Sequence, residues 1–358
     1  MEDIINSASN TLGINDFLES AEKYTNNNFV NLNIKELFYD SLTGNIGNSL
    51  RHIGLIDIFS KELSSVLNVI ISVLVVIIIH SIFKAIIEGL ENKSASQIAF
   101  FLQYLIITTL IINSFVSILD LTKASIQNII SFMNMLLPLM TTLMLTTGMI
   151  STTSVIEPIL LFMINFIGFF INNFIIPFLL VSITISIISN ISDKIQLDRL
   201  SKFIKSSIVW ILGIILTIFA TTISLEGTLT SSVDGIAAKT TKATVSNFIP
   251  IVGKIMGDTV DSVIGCGNIL KNSVGIIGTV IIVCIVIMPV IRITILWLSF
   301  KMTSAISEVI ADKKIVKLID QLADSYKILL AILFSVSIMF IIGITIVIKV
   351  TNSGLMYR

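Results

Sequence analysis

The sequence contains few charged residues and carries no net charge. Only 13% of its 358 residues are charged, with 23 Lys and Arg against 23 Asp and Glu, and 54% are hydrophobic. A soluble domain has about 25% charged residues, so this chain has too few to cover a surface that faces water. The chain also has no excess of basic residues over acidic ones. This argues against nucleic-acid binding, which needs cations that displace counterions from phosphates. Both absences indicate an integral membrane protein.

Side chains for metal or nucleotide chemistry are also scarce. The two cysteines, Cys266 and Cys284, and the two histidines lack the spacing of a metal site. A P-loop is excluded because Gly253 and Lys254 are followed by Ile255 instead of Ser or Thr. We therefore expect no metal, no cofactor and no enzymatic activity.

The N-terminal region, residues 1–64, is polar at first and then amphipathic. It opens with Met1-Glu2-Asp3, and no long apolar run follows soon after, so we expect no cleavable secretory signal. From Ile34 onward, apolar residues recur at helical spacing. This pattern predicts a small helical cap that lies on the membrane surface.

Long apolar runs fill the membrane domain, residues 65–358. A spanning helix needs about 20 apolar residues, and the run over 154–189 is too long for one crossing, with Asn172-Asn173 and Pro177 marking a turn. We predict an all-α, polytopic integral membrane protein with about eight transmembrane helices, and seven is the alternative. The predicted spans are 65–83, 97–119, 127–148, 154–171, 174–189, 206–224, 273–290 and 328–348.

The Lys and Arg residues of the short loops predict which side of the membrane each loop occupies. The positive-inside rule places Lys194 to Lys205 and Lys301 to Lys327 in the cytosol. The longer segment Leu225–Asn272 then lies outside, as do both termini if there are eight spans. Seven spans with an inner N-terminus keep the later loops on the same sides.

The segment 250–266 has a helical pattern with two distinct polar features. At steps of four residues, a small-residue stripe contains Gly253, Gly257, Asp261 and Gly265, and a polar side contains Lys254 and Asp258. Glycines weaken a helix and are expected where another backbone approaches closely, so the three glycines predict helix packing or assembly. The alternative is a pore-lining or re-entrant element in which Lys254, Asp258 and Asp261 face water.

The segment 302–326 predicts a helix at the membrane interface, because apolar residues follow one side and charged residues the other. Its basic residues are Lys313, Lys314 and Lys317. They predict a docking surface for a cytosolic partner, and the alternative is an interaction with anionic lipid headgroups.

Two stretches carry a resemblance to a known family. Ser224–Gly278 reads SLEGTLTSSVDGIAAKTTKATVSNFIPIVGKIMGDTVDSVIGCGNILKNSVGIIG, and Ser307–Leu329 reads SEVIADKKIVKLIDQLADSYKIL. In both, and from about Ile34 to the C-terminus, the chain resembles the stage III sporulation protein AE family of endospore-forming bacteria. The resemblance implies a multi-pass protein of the mother-cell-derived membrane around the forespore, with no catalytic residues.

The resemblance also implies partners and a role. The partners are other stage III sporulation membrane proteins, a separate cytosolic ATPase and, indirectly, a forespore membrane protein, in addition to lipid and further copies of the chain. The implied role is that of a core component of a channel or secretion-like apparatus that is needed after engulfment. Two alternatives stay open. Gly- and Pro-interrupted helices near Pro138 and Pro250 are also typical of secondary transporters of small solutes, and a membrane scaffold would need no conduit.

Overall fold

The computed structural model describes residues 12–25, 33–44, 55–88, 93–191, 197–248 and 252–356, which contain helices and no strand. In chain order the helices are α1 (Ile14–Thr25), α2 (Ile34–Thr43), α3 (Leu55–Glu88), α4 (Lys93–Thr146), α5 (Ile150–Phe170), a π-helical turn (Ile171–Ile175), α6 (Ile176–Ile191), α7 (Asp198–Phe248), α8 (Val252–Ser307) and α9 (Lys313–Met356). The all-α fold class is confirmed.

Six continuous helices in the described part of the chain are long and apolar enough to cross a membrane. The sequence predicts about eight spans, and the described part of the chain has six candidates because two pairs of predicted spans are each fused into one helix. If each of the six crosses the membrane once, the number of crossings is even, as it is with eight, and the predicted sides of the later loops are the same. The apolar stretches are Glu62–Ile79, Tyr104–Thr146, Ile150–Ile191, Asp198–Leu225, Ile264–Ser307 and Lys313–Val350.

The first fused pair, 97–119 and 127–148, forms α4. This helix has 54 residues and is roughly 80 Å long at 1.5 Å per residue. Asp120 and Lys123 lie inside it and do not form a loop. Pro138 also lies inside it, where the hydroxyls of Thr141 and Thr142 donate to its carbonyl oxygen at 3.0 and 2.8 Å. Within a membrane the backbone N–H and C=O groups find no water to bond, so they stay paired within the helix. Neither the charged residues nor the proline therefore ends α4.

The second fused pair, 154–171 and 174–189, forms one helix from Ile150 to Ile191. The predicted turn at Asn172-Asn173 is instead a single π-helical turn over Ile171–Ile175. The Asn173 side-chain amide donates to the carbonyl oxygen of Phe169 at 2.8 Å, so it stays within the helix. A π-helical turn accommodates an extra residue without reversing the chain.

A tight turn over residues 147–149 joins α4 to α5. The N–H of Gly148 donates to the Leu145 carbonyl at 2.9 Å, and the N–H of Met149 donates to the Met144 carbonyl at 3.2 Å. This pair of bonds is a Schellman motif, which needs a left-handed residue. Gly148 supplies it with a φ of 78°, a conformation that costs glycine little because it lacks a Cβ.

Helices α8 and α9 form a closely packed hairpin that divides the segment 302–326. Helix α8 ends at Ser307, the N–H of Ala311 donates to the Ser307 carbonyl at 2.7 Å, and α9 begins at Lys313. The prediction of one interfacial helix is therefore wrong. Ile319 and Leu322 are buried in the core, because the apolar side of the segment packs against other helices of the bundle.

The N-terminal helices α1 and α2 pack against α4 and α8. The predicted amphipathic helix that starts at Ile34 is confirmed as α2, which buries Ile34, Leu37 and Phe38. Phe17 of α1 lies with its ring centroid 6.0 Å from that of Phe132 of α4. Helices α1 and α2 thus add to the core of the membrane domain.

Candidate functional site

A carboxylate from α7 caps the first turn of α5. Asp234 Oδ1 accepts a hydrogen bond from the N–H of Ser151 at 2.9 Å, and Oδ2 accepts one from the N–H of Thr152 at 2.7 Å. The first N–H groups of a helix have no acceptor within it, and the positive end of the helix dipole favours an anion. Asp234 is only 4% exposed. We call this contact the Asp234 cap.

Two opposing effects set the pKa of Asp234. Burial raises the pKa, whereas hydrogen bonds from Thr152 and Ser151 lower it, and the net result is a pKa below the usual value of 3.8. The side chain is therefore ionised at neutral pH. The cap consists of charge-assisted hydrogen bonds, which are stronger than bonds between neutral groups.

Helix α8 approaches the α4–α5 turn closely at Gly267. A Cβ added there would lie 2.8 Å from Oγ1 of Thr146, a distance that real Cβ atoms essentially never show. Further along α8, a Cβ added at Gly278 would lie 2.6 Å from Cδ2 of Leu136. Gly275 is similarly crowded by side chains of α4 and α9. These glycines allow three helices to pack closely, as small residues do between membrane helices.

Lys271 lies between these glycines in the α8 sequence. It is fully buried, and its Nζ is 3.5 Å from Oδ1 of Asn268. An ionisable residue within an apolar span is rare and is a functional candidate by default. The sequence analysis assigns Lys271 to the outer segment, because it starts the span at Ser273, whereas the apolar stretch begins at Ile264. The sequence signal that could have identified Lys271 is its spacing, because Gly267, Lys271 and Gly275 are four residues apart and therefore share one face of the helix.

The predicted glycine stripe lies on the same helix, nearer its start. Helix α8 begins at Val252 and continues without a break into its apolar stretch. Gly265 is exposed, and no atom of a described neighbouring element lies within 4 Å of an added Cβ, so nothing in the described part of the chain packs on it. The side chains at the other predicted positions lie outside the described residues, and their roles in assembly or in a conduit stay predictions. These positions are Gly253, Lys254, Gly257, Asp258 and Asp261.

Three buried serines join α6 to α7 at the opposite end of the bundle. The hydroxyl oxygens of Ser182 and Ser201 are 3.0 Å apart, and those of Ser186 and Ser201 are 2.6 Å apart. The hydroxyl of Ser182 can also donate to the carbonyl oxygen of Ser201, at 3.1 Å. Small hydroxyl side chains let membrane helices approach and hydrogen-bond across their interface.

Gln321 of α9 connects with both of these helices. Its Oε1 accepts a hydrogen bond from Asn190 of α6 at 2.7 Å, and its Nε2 donates to Asp198 of α7 at 3.0 Å. Its backbone carbonyl accepts a hydrogen bond from Nζ of Lys205 at 2.6 Å. Lys205 and Asn190 are buried, and such groups are costly without partners. The network therefore fixes the positions of three helices relative to one another.

The three predicted docking lysines differ in their surroundings. Lys317 forms an ion pair with Asp198 of α7, so it contributes to contacts within the chain. Lys313 is exposed and Lys314 is half-buried. Lys301 of α8 pairs with Asp320 of α9 at 2.6 Å. The docking role stays a prediction, and it falls mainly on Lys313 and Lys314.

The polar and charged side chains described above hold helices together or lie exposed at the surface. Among the described residues, no group of three or more His, Cys, Asp or Glu side chains is placed to hold a metal ion. Arg292, a charge inside the α8 span, lies 3.6 Å from Glu62 of α3. Arg292 thus connects α8 with α3, whereas Lys271, which is fully buried, contacts Asn268 of its own helix.

Comparison with known proteins gives one consistent result. Residues 32–351 match the family described as stage III sporulation protein AE. The stage III sporulation protein AE of Bacillus subtilis (strain 168) is 30% identical over 286 residues, which cover 79% of this chain and 72% of that protein. No solved structure matches the chain.

Proposed function

Because the chain belongs to the stage III sporulation protein AE family, we propose that it is a membrane-embedded core component of a channel or secretion-like apparatus between mother cell and forespore. It acts after engulfment, in the mother-cell-derived membrane around the forespore, and it catalyses no reaction. Its partners in this proposal are other stage III sporulation membrane proteins, a separate cytosolic ATPase and, indirectly, a forespore membrane protein.

One observation carries the proposal, namely the length of α7 beyond its apolar stretch. The apolar stretch ends at Leu225, but the helix continues to Phe248, which adds roughly 35 Å at 1.5 Å per residue. The positive-inside rule assigns this extension to the side away from the cytosol, and that side faces the space between the two membranes. The extension packs beside the start of α5 at Asp234 and continues for 14 more residues, roughly 20 Å, to Phe248. A component that meets partners across that space needs an element of this kind outside its apolar stretches.

The opposite end of the bundle supports a cytosolic partner. The α8–α9 turn presents Val309, which is 87% exposed, next to the exposed Lys313. The hydrogen bonds and ion pairs of Gln321, Lys317 and Lys301 hold this turn against α7 and within the hairpin. A rigid, exposed turn with basic residues suits a subunit that receives force or substrate from a separate ATPase.

Deletion and affinity purification in the spore-forming host test the proposal. Without the gene, engulfment should finish and spore development should then stop. A tagged chain recovered from sporulating cells should bring with it other stage III membrane proteins and the ATPase. Arrest before engulfment, or normal spores in the deletion strain, would contradict the proposal.

The secondary-transporter alternative is favoured by one specific observation, the buried Lys271 on α8. A cationic side chain inside the apolar span could bind an anionic solute or exchange a proton. Purified chain in lipid vesicles discriminates the two functions. Movement of a small solute by the chain alone, lost on Lys271→Met, would favour the transporter, whereas a platform subunit should be inert without its partners.

A further inference from the structure

The exposed surface of α4 changes from apolar to polar along the helix. Near the start of α4, exposed large hydrophobic side chains are frequent, among them Phe101, Leu102 and Ile106. After Val116 the next exposed one in this fully described part of α4 is Leu145. The exposed residues from 117 to 131 are instead polar or small. We call them the α4 polar strip: Ser117, Asp120, Ala124, Gln127, Asn128 and Ser131.

Asp120 is the residue of this strip that is least compatible with lipid. It lies within the apolar stretch Tyr104–Thr146, roughly 24 Å from the nearer end at 1.5 Å per residue. Its side chain is exposed, and it takes part in no ion pair within the described part of the chain. An unpaired carboxylate is costly in hydrocarbon, and charged residues of membrane helices usually face the bundle interior or a water-filled cavity.

Exposed amides and hydroxyls elsewhere are satisfied by their own helix. The Nδ2 of Asn165 donates to the Leu161 carbonyl and the hydroxyl of Thr217 to the Gly213 carbonyl, both at 2.8 Å. Such bonds allow a polar side chain to lie against lipid, so an exposed amide alone does not indicate water. The α4 polar strip differs because it contains the carboxylate of Asp120 and lacks large apolar side chains.

Charged side chains of α1 lie at the same level along the bundle as the end of the strip. Phe17 and Tyr24 of α1 contact Phe132 of α4, with ring centroids 6.0 and 5.6 Å apart. Phe132 follows Ser131 directly. Helix α1 exposes the charged residues Asp16, Glu19 and Lys23. Charged groups without partners are costly away from water, so water reaches this flank of α4.

Another side of the bundle is apolar at this level. Gly168 of α5 packs against Ile130 of α4, and Asp234 of α7 bonds to Ser151 at the start of α5. Helices α5 and α7 are antiparallel, so equal steps along each helix from that bond place Ile218 of α7 beside Gly168. Ile218 is 52% exposed. It shares an apolar surface of α7 with Ile214, Trp210 and Val209, which are also exposed.

The exposed surface of the bundle is therefore polar on α4 and apolar on α7 at one level. A flat membrane surface would place both sides in the same medium at that level. Lipid on the side of α7 and water on the side of α4 fit both surfaces. We propose that the α4 polar strip lines the aqueous conduit of the apparatus.

This assignment rests on the proposed function, because the strip lies on the outer surface of the chain and other subunits have to close a conduit around it. Hydroxyl and amide groups keep the wall of such a passage hydrated, as hydrogen-bonding groups do in known pores. The single carboxylate of Asp120 adds charge at one point of the wall only.

Thiol accessibility in isolated membranes tests the assignment. The chain is produced in sporulating cells with its partners, in a Cys266→Ser, Cys284→Ala background. Membrane fragments that are open to solution on both sides are treated with methanethiosulfonate ethylsulfonate, a charged reagent that modifies thiols in contact with water. Ser131→Cys should react about tenfold faster than the matched control Ile218→Cys, which is exposed at the same level on α7.

Two other results would overturn the proposal. Equally slow reaction of both cysteines would show that lipid or protein covers the strip. Equally fast reaction would place this level outside the membrane on all sides, where no conduit wall is needed. Failure of the proposed function is seen separately, as normal spores in the deletion strain, and the thiol reaction does not depend on that result.

A pair of double variants tests whether the strip borders the path that the cargo takes. Asn128→Leu with Ser131→Leu should lower the yield of spores about tenfold, because an apolar wall opposes the passage of hydrated cargo. Chain levels and co-purification of partners should stay unchanged. Thr217→Leu with Thr221→Leu, at exposed positions of α7, should leave the yield unchanged. A normal yield of spores from the α4 double variant would refute the lining role.

Discussion

The carboxylate of Asp234 accepts a hydrogen bond from the backbone N–H of Thr152 at 2.7 Å. This contact connects the long helix α7 to the start of α5, although the two residues are 82 positions apart in sequence. The α4–α5 turn lies directly beside it, and Gly267 of α8 packs on that turn. Four helices therefore meet at one place, and changes there should affect the whole bundle.

Removing the charge of Asp234 should weaken the cap. In Asp234→Asn, one oxygen acceptor remains and the negative charge is lost, so we expect the free energy of unfolding to fall by about 1–2 kcal/mol. Thermal unfolding of the purified protein in detergent measures this, and hydrogen exchange at Ser151 and Thr152 should increase. The control is Asp16→Asn on the exposed side of α1. A loss of stability equal to that of the control would contradict the role of the cap.

The Asp234 cap should also make stability depend on pH. The folded pKa of Asp234 is lowered, so its contribution is complete above the unfolded pKa of about 4 and is lost as the pH falls through the folded value. We expect the difference in stability between the natural protein and Asp234→Asn to be constant near neutral pH and to shrink below about pH 4. A difference that persists unchanged at pH 3 would exclude this explanation.

Two neighbouring glycines of α8 should respond oppositely to alanine. Gly267→Ala places a Cβ 2.8 Å from Thr146 Oγ1, and we expect it to destabilise the bundle by about 1–3 kcal/mol. Gly265→Ala meets no atom of a neighbouring element within 4 Å and should stabilise the isolated chain by about 0.5–1 kcal/mol, because alanine favours a helix. Thermal unfolding of both variants is the measurement, and effects of equal sign would show that the packing is not as described.

The ion pair between Lys317 and Asp198 should be separable from cytosolic docking. Lys317→Glu brings two carboxylates together, and adding Asp198→Lys should restore the attraction. We expect the single variant to lose about 0.5–1 kcal/mol and the double variant to recover only part of it, because the hydrogen bond from Gln321 to Asp198 is also lost, as measured by thermal unfolding.

Docking is better tested with Lys313→Glu and Lys314→Glu, which should reduce co-purification of cytosolic partners and leave Lys317 in its ion pair. Unchanged recovery of those partners would favour the lipid-headgroup alternative.

Membrane sidedness can be tested at two exposed positions. Ile150 is 65% and Val309 is 87% exposed, so both suit labelling. In a cysteine-free background, Ile150→Cys should react with an impermeant thiol reagent from outside, and Val309→Cys should react only after lysis. Labelling of Val309→Cys alone in intact cells would reverse the orientation.

Hydropathy identifies the membrane helices of this chain but does not predict where they end. The apolar runs are visible in the sequence because burial in lipid requires them. Asn172-Asn173 and Asp120 look like breaks because these residues favour turns in water, yet within a membrane the backbone gains more by staying helical. Turn propensity therefore predicted two reversals that the fold does not contain.

The sequence predicts that glycines of α8 allow close packing between helices, but not which glycines do so. A small-residue stripe on α8 was expected at Gly253, Gly257 and Gly265, whereas the described close contacts are at Gly267, Gly275 and Gly278. The sequence of one helix gives its faces but not which neighbour each face meets. The Asp234 cap could not be predicted for the same reason, because its two partners come together only in the folded bundle.

The separation of Asp234 from the helix that it caps has a consequence for biosynthesis. Ribosomes add about 5–20 residues per second, so the first turn of α5 is made roughly 4–16 seconds before Asp234. During that interval the amides of Ser151 and Thr152 have no carboxylate acceptor, and the α4–α5 pair must be accommodated by water or the translocation machinery. Completion of this corner of the protein is therefore a late event in membrane insertion, and nascent chains that stop short of Asp234 should be the ones that quality-control proteases degrade.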